Sequence, residues 1–241
     1  MLNRAMIFGL AMAVLLLALA AADKPPAQFI GAGEFCGGVA CDDVALTGVR
    51  FGHHSGFTRM VLDLSQRGEG GALSGAGRHP VYRVAYREYP YRLVVSLQDV
   101  WFDPGARVGT RPALPFSVVT REDGTIKEMQ VFLAGPSEFK VIEIDGPAKL
   151  SIDVRPLSTP VPAIYTVQVT GDYTASEAYA LVERGELPEG YEPQVLVLGD
   201  VVVIEQAFPD ASSAAAMDAA LRDMGYASVI NERRGDELPQ G

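Results

Sequence analysis

The 241-residue sequence predicts two domains, an all-β sandwich followed by an α+β domain of βαββαβ order with a four-stranded antiparallel sheet. Three observations carry this. From Thr47 to Val154, short β-branched and aromatic runs follow one another, bounded by Gly, Pro and Asp, and no helical period exceeds two turns. From Tyr165 to Ile230, a strand, a helix and a Gly-Tyr pair are written twice, about 35 residues apart. Between the two regions, Pro156 to Pro162 places three prolines in seven residues, a composition that favours a stiff, extended spacer.

The chain opens with the marks of an export leader over residues 1–22. Arg4 supplies a positive start, Ile7 to Leu19 is apolar, and Ala18-Leu19-Ala20 is a small-x-small cleavage pattern. The apolar run is short for a membrane span, so the expectation is a periplasmic protein with no stable span once the leader is cleaved. Residues 23–45 are Gly-rich and read as an irregular tether. They carry the only two cysteines, Cys36 and Cys41, flanking Gly37-Gly38. In an oxidising compartment this spacing predicts a small disulfide loop, contributing about 2 kcal/mol by loop entropy.

The β domain is expected over 46–156. Its strands are read at Gly48 to Phe51, Thr58 to Leu64, Val81 to Tyr86, Tyr91 to Leu97, Phe116 to Thr120, Ile126 to Leu133, Phe139 to Ile144 and Leu150 to Val154. It too repeats. Tyr82-Arg83-Val84 and Tyr91 to Leu97 match Phe139-Lys140-Val141 and Ala148 to Val154 at an offset of 57, and Arg59 to Leu64 matches Glu128 to Leu133 at 69. The expectation is two three-stranded half-sheets, each burying one face against the other. Thr58 to Ser65, Tyr82 to Val84 and Tyr91 to Leu97, in duplicated form, resemble the signature of the AMIN domain, an envelope module that localises cell-wall amidases and accompanies secretins. The resemblance implies a two-sheet sandwich that binds peptidoglycan.

After a linker at 157–163, the second domain is expected at 164–232, with a tail at 233–241. Thr174 and Glu177 form a capping box for its first helix and Asp210 caps the second. Two helices on one face of the sheet would leave the other face open. Tyr165 to Val169 with Tyr173, and Phe208, Ala216, Leu221, Gly225 and Tyr226 in the second half, resemble the SPOR domain, which binds peptidoglycan glycan strands stripped of their stem peptides. Gly171-Asp172-Tyr173 stands where that family has Gly-Ser-Phe, and Val201 to Val203 replace its basic third-strand residue.

Strand alternation sends Val167 and Val169 to the helices and Thr166, Gln168 and Thr170 to the opposite face, with Val201, Val203 and Glu205 from the third strand. A carboxamide donates and accepts at once, which suits sugar hydroxyl and N-acetyl groups. With the resemblance, the expected glycan-binding set is Thr166, Gln168, Thr170, Tyr173, Val201 and Val203. Tyr86, Tyr89, Tyr91 and Trp101 form the densest aromatic patch of the β domain, read either as sugar-stacking rings or as core, with Arg83, Arg87 and Arg92 nearby for carboxylates or solvent.

Charge and chemistry narrow the function. From Tyr165 onward there are 14 acidic and four basic residues, whereas residues 47–156 carry 14 basic and 12 acidic. No basic run interleaves with aromatics, which argues against nucleic acid. His53 and His54 are adjacent on a strand and point to opposite faces, and His79 is the only other histidine, so no metal site is expected. The Gly-x-x-Ser-Gly stretches ending at Gly56 and Gly75 place Ser one position late for a nucleophile elbow. The expectation is therefore a non-enzymatic wall-binding protein without a cofactor, with amidases or division proteins as partners. The alternative is an adaptor or regulator of amidases or secretion complexes that meets protein through Val201 and Val203.

Overall fold

The structure is a computed structural model that describes residues 28–109 and 114–239. The expected leader at 1–22 lies outside the described residues. Among those described, no helix is long and apolar enough to cross a membrane.

The upstream unit is built of β1 (Glu34–Gly37), β2 (Val44–His54), β3 (Phe57–Arg67), β4 (Leu73–Gly75), β5 (Tyr82–Arg87), β6 (Arg92–Leu97), β7 (Val100–Val108), β8 (Phe116–Thr120), β9 (Ile126–Phe132), β10 (Ser137–Ile144) and β11 (Lys149–Pro156). Two sheets form, ordered β1-β5-β6-β9-β8 and β10-β11-β3-β2-β7, with β4 added beside β3. All eight expected strand positions are strands. Alternating apolar residues from both sheets, including Leu62, Leu93, Met129, Phe139 and Ile152, are buried in one core.

The arrangement of the repeats differs from expectation. Each repeat gives its first strand to the other repeat's sheet: β9 pairs with β6, and β3 pairs with β11. The exchange is symmetric at residue level. Leu93 faces Val131, and shifting these by the repeat offsets gives Leu150 and Leu62, which also face each other. Separate three-stranded halves would leave β3 and β9 each with an unpaired edge, whereas exchange converts both into continuous ladders.

The 23–45 stretch is likewise more ordered than read. Glu34–Gly37 is a strand on the edge of β5, Val39 bridges to Pro80, and Val44 already begins β2. Gly38 makes the turn possible: its φ is +78°, and a Cβ there would meet the Pro80 carbonyl oxygen at 2.0 Å. The pairing lays Cys36 opposite Arg83 of β5 and, past the turn, Val39 opposite Pro80. Cys36 and Cys41 are accordingly free, Cys36 exposed and Cys41 half-buried, in place of the expected disulfide.

The C-terminal unit runs β12 (Ala163–Val169), α1 (Ala175–Arg184), β13 (Gln194–Leu198), β14 (Val201–Phe208), α2 (Ala211–Asp223) and β15 (Ser228–Arg234). The strands form an antiparallel sheet ordered β13-β14-β12-β15. Val167, Val169, Val195 and Ile204 pack against Ala178, Leu181, Ala214 and Leu221 of the helices. The two Gly-Tyr pairs close equivalent corners. Tyr191 Oη donates to the Val167 carbonyl at 2.9 Å and Tyr226 Oη to the Glu186 carbonyl at 2.9 Å.

Both helices start as read. Thr174 and Glu177 form the reciprocal capping box, and α1 ends on Gly185 in the left-handed conformation. Asp210 caps α2, accepting from the Ser213 amide at 2.8 Å and from the hydroxyls of Ser212 and Ser213. These donors hold its carboxyl at about 2, below the ordinary 3.8. A carboxylate whose folded value is depressed stabilises the fold fully above its ordinary value and loses that contribution as pH falls through the folded one. Acid titration of the Asp210 carboxyl by NMR should thus show loss of the cap as pH falls from 3.8 towards 2. A midpoint at the ordinary aspartate value would remove the capping role.

Candidate functional site

The helix-free face of the C-terminal sheet is where the expected site residues lie, and it is divided. On one part, Gln168 of β12 is half-buried between Glu205 of β14 and Val229 of β15. Its Oε1 accepts from Asn231 Nδ2 at 3.4 Å, and among the described residues its amide group has no acceptor. Thr170 is exposed just past the end of β12, where its amide donates to the Ala227 carbonyl at 2.9 Å. Tyr173 is half-buried over Gly171, where a Cβ would come within 2.7 Å of the ring. Val201 opens β14 at 39 % exposure. Gln168, Thr170, Asp172, Tyr173, Asp200 and Val201 line a single open cleft of about 630 Å³. A hydroxyl, a carboxamide, two carboxylates, a phenol and an apolar patch thus converge at one end of the sheet.

The other part is covered. Thr166 is fully buried and Val203 is 1 % exposed, so these two of the six expected residues are not available at the surface. Val203 and Leu196 pack against Phe132 of β9, in the upstream unit. The C-terminal unit by itself would leave this sheet face open. The neighbouring sheet supplies apolar surface that buries the valine.

Four residues of the upstream face, none of them singled out for this role by the sequence, build the contact. The Gln130 carboxamide lies on the free edge of β13, with Nε2 donating to the Val195 carbonyl at 2.6 Å and Oε1 accepting from the Val197 amide at 3.1 Å. Tyr179 of α1 donates to Glu128, and Lys127 pairs with Glu183. Burial first, then the Glu128 carboxylate, pushes the Tyr179 phenol well above its ordinary range. Arg92 is 3 % exposed rather than on a solvated face. Burial pulls its guanidinium down to about 10, against the charge of Glu128.

Beside this contact, Glu205 is 1 % exposed and pairs with Arg233 of β15. Burial raises its carboxyl, and Arg233 opposes the shift. A basic side chain therefore does reach the helix-free face, from the fourth strand rather than the third. Its only sequence signal is strand alternation in β15, where Val229, Asn231 and Arg233 share a face.

No family model, curated protein or solved structure matches the chain.

The aromatic patch of the upstream unit is dispersed. Tyr86 and Tyr91 belong to the core, Tyr89 lies over Gly235 of the C-terminal unit, and Trp101 is half-buried with the Arg67 guanidinium 4.6 Å from its ring. Core filling and an interdomain contact account for three of these rings. Ser55 sits with Gly56 in the two-residue turn between β2 and β3, not on a strand-to-helix elbow. Buried His79 places Nε2 3.1 Å from the Ile144 carbonyl oxygen, bracing the β10–β11 hairpin. Among the described residues, no group of three or more His, Cys, Asp or Glu side chains is placed to hold a metal ion.

Proposed function

We infer that the chain is a non-enzymatic, periplasmic peptidoglycan-binding protein. Its C-terminal unit takes denuded glycan strands, and its upstream unit helps to target it to the wall. The single observation that carries this reading is the cleft that gathers Gln168, Thr170, Tyr173 and Val201 at one exposed end of a helix-backed sheet. The carboxamide and hydroxyls suit sugar hydroxyl and N-acetyl groups, and Val201 and the Tyr173 ring offer apolar surface to a pyranose face. Asp172 and Asp200 make the cleft acidic, which favours glycan without stem-peptide carboxylates over intact peptidoglycan. The resemblance of the two halves to AMIN and SPOR domains points the same way.

Sedimentation with sacculi, with and without prior amidase digestion, tests the reading. Wild-type protein should bind the digested sacculi more tightly. Gln168→Glu, which keeps the shape but replaces the free amide with an anion, should weaken binding about tenfold, the worth of one good hydrogen bond at about 1.4 kcal/mol. Equal binding of Gln168→Glu and wild type would remove the cleft from the mechanism.

A second reading is favoured by one observation, the burial of Thr166 within the C-terminal unit and of Val203 against Phe132 of the upstream unit. It takes away part of the expected glycan face and suits an adaptor or regulator of cell-wall amidases or secretion complexes, with Val201 at a protein contact. Failure of wild-type protein to bind either form of sacculus would favour it.

A further inference from the structure

The covered half of the C-terminal sheet face is held shut by a contact whose chemistry is poorly matched. Its apolar part is split: Phe132, Leu196 and Val203 form one small cluster, with Leu198 at the border, and Val119 of β8 packs into the core between the C-terminal sheet and its helices. Its strongest directional part is Gln130, whose carboxamide copies on the β13 edge the two-point pairing that another strand would make. Lys127–Glu183 and Tyr179–Glu128 complete it at the periphery.

Against these stand buried charged atoms left without partners. The one bond that Arg92 donates goes to its own near neighbour, the Pro90 carbonyl, at 3.3 Å, and its Nε has no acceptor. Glu205 binds Arg233 through one oxygen, while Oε2 has no donor. A buried charged group with an unmade hydrogen bond favours any state in which water reaches it. The connection between the units, residues 155–160, is exposed throughout.

We propose that the two units form a self-inhibited pair, in which the upstream sheet covers the Val203 part of the binding face and must undock before Val203 joins Gln168 on one continuous glycan-binding surface. The proposal rests on the glycan reading above and specifies how that site is regulated. In the docked form the face is open around Gln168, Thr170, Tyr173 and Val201, and in a separate cleft lined by Thr166, Glu205, Asn231 and Arg233, while the part around Val203 is closed. In the undocked form the surface crosses β14 and β12, long enough for successive sugars of one strand. A ligand that needs the undocked form has its apparent affinity reduced by the fraction of molecules that are undocked. Glycan and the upstream unit therefore compete for the same face, and loosening one strengthens the other.

The test uses the full chain and two substitutions on the upstream unit, both outside the cleft. Phe132→Ser removes one apolar anchor, and Arg92→Glu sets a third carboxylate beside Glu128 and Glu205. Undocking is read by hydrogen exchange at the Val197 amide, which Gln130 protects when docked, and by the radius of gyration in small-angle scattering. Binding is read by sedimentation with amidase-digested sacculi, and circular dichroism verifies folding.

Faster exchange at Val197, a larger radius and binding about tenfold tighter, the gain expected if a tenth or less of wild-type molecules are undocked, would bear out the proposal. If both variants undock but bind no more tightly than a wild type that does bind, inhibition is overturned and the glycan reading stands. If neither variant undocks, the contact is a permanent one and inhibition is again overturned. If neither wild type nor undocked variants bind, the glycan reading itself falls.

Discussion

Phe139→Ala is expected to lower the unfolding free energy by about 4 kcal/mol, the range found when a large buried aromatic is truncated to alanine. Phe139 is fully buried in β10, at the point where three parts of the upstream unit meet. Its ring lies edge-on to Phe35 of β1 at 5.3 Å and stacks with Tyr86 of β5 at 6.4 Å and 12°, so it joins the two sheets and the N-terminal edge strand. Its backbone pairs with Ile30 in both directions at 2.8 Å, and this pairing fastens the first described residues to the sheet. Truncation therefore loses transferred apolar surface and leaves a cavity that residues drawn from two sheets cannot collapse to fill. Urea unfolding should show a lower midpoint with an unchanged slope. Leu157→Ala, at a side chain 39 % exposed, should stay within about 0.5 kcal/mol. A loss below 1 kcal/mol for Phe139→Ala would mean that the core is not organised around this ring.

Gln130→Leu is expected to weaken docking of the two units by about 3 kcal/mol. Leucine keeps most of the volume but removes the carboxamide that binds the Val195 carbonyl, the Val197 amide and the Tyr179 hydroxyl. In the docked form the β13 backbone groups would then be buried without partners, at about 1–3 kcal/mol each, while in the undocked form water satisfies them. The loss thus falls on docking and not on either unit's own fold. Faster hydrogen exchange at Val195–Val197, with unchanged exchange in β9, is the expected signature. A double-mutant cycle with Tyr179→Phe should return a coupling of about 1 kcal/mol, because the two side chains share one hydrogen bond. Additive effects would mean that the Gln130–Tyr179 hydrogen bond contributes nothing to docking.

The parts legible in the chain are those decided within a few residues. Thr174 with Glu177, Gly185 and Asp210 mark three helix ends because capping is a matter of side chains reaching amides two or three positions away. The side on which Val167, Gln168 and Val169 fall follows from alternation along one strand. Gly38 and the strand it turns are not legible in the sequence, because a Gly-rich stretch reads as loose until a neighbouring strand is there to pair with it. β7 is hidden for a similar reason. Asp103, Pro104 and Gly105 spell a turn, yet the segment runs parallel to β2 with a register break between Leu46 and Gly48 that absorbs them.

By itself, the sequence determined eight of the eleven upstream strands, the order of strands and helices in the C-terminal unit, the caps, the duplication within each half and the side of the sheet that carries Gln168. Each is set by local backbone preference or by spacing that any fold must respect. Only the tertiary structure decided that the β repeats exchange their first strands, and that Cys36 and Cys41 lie along an edge strand without bonding. It also decided that Thr166 is buried and that Val203 faces another sheet instead of solvent. Those outcomes depend on which distant surface arrives opposite a given face. The alternation that points Val203 away from the helices is the same whether water, a sugar or Phe132 waits on the other side.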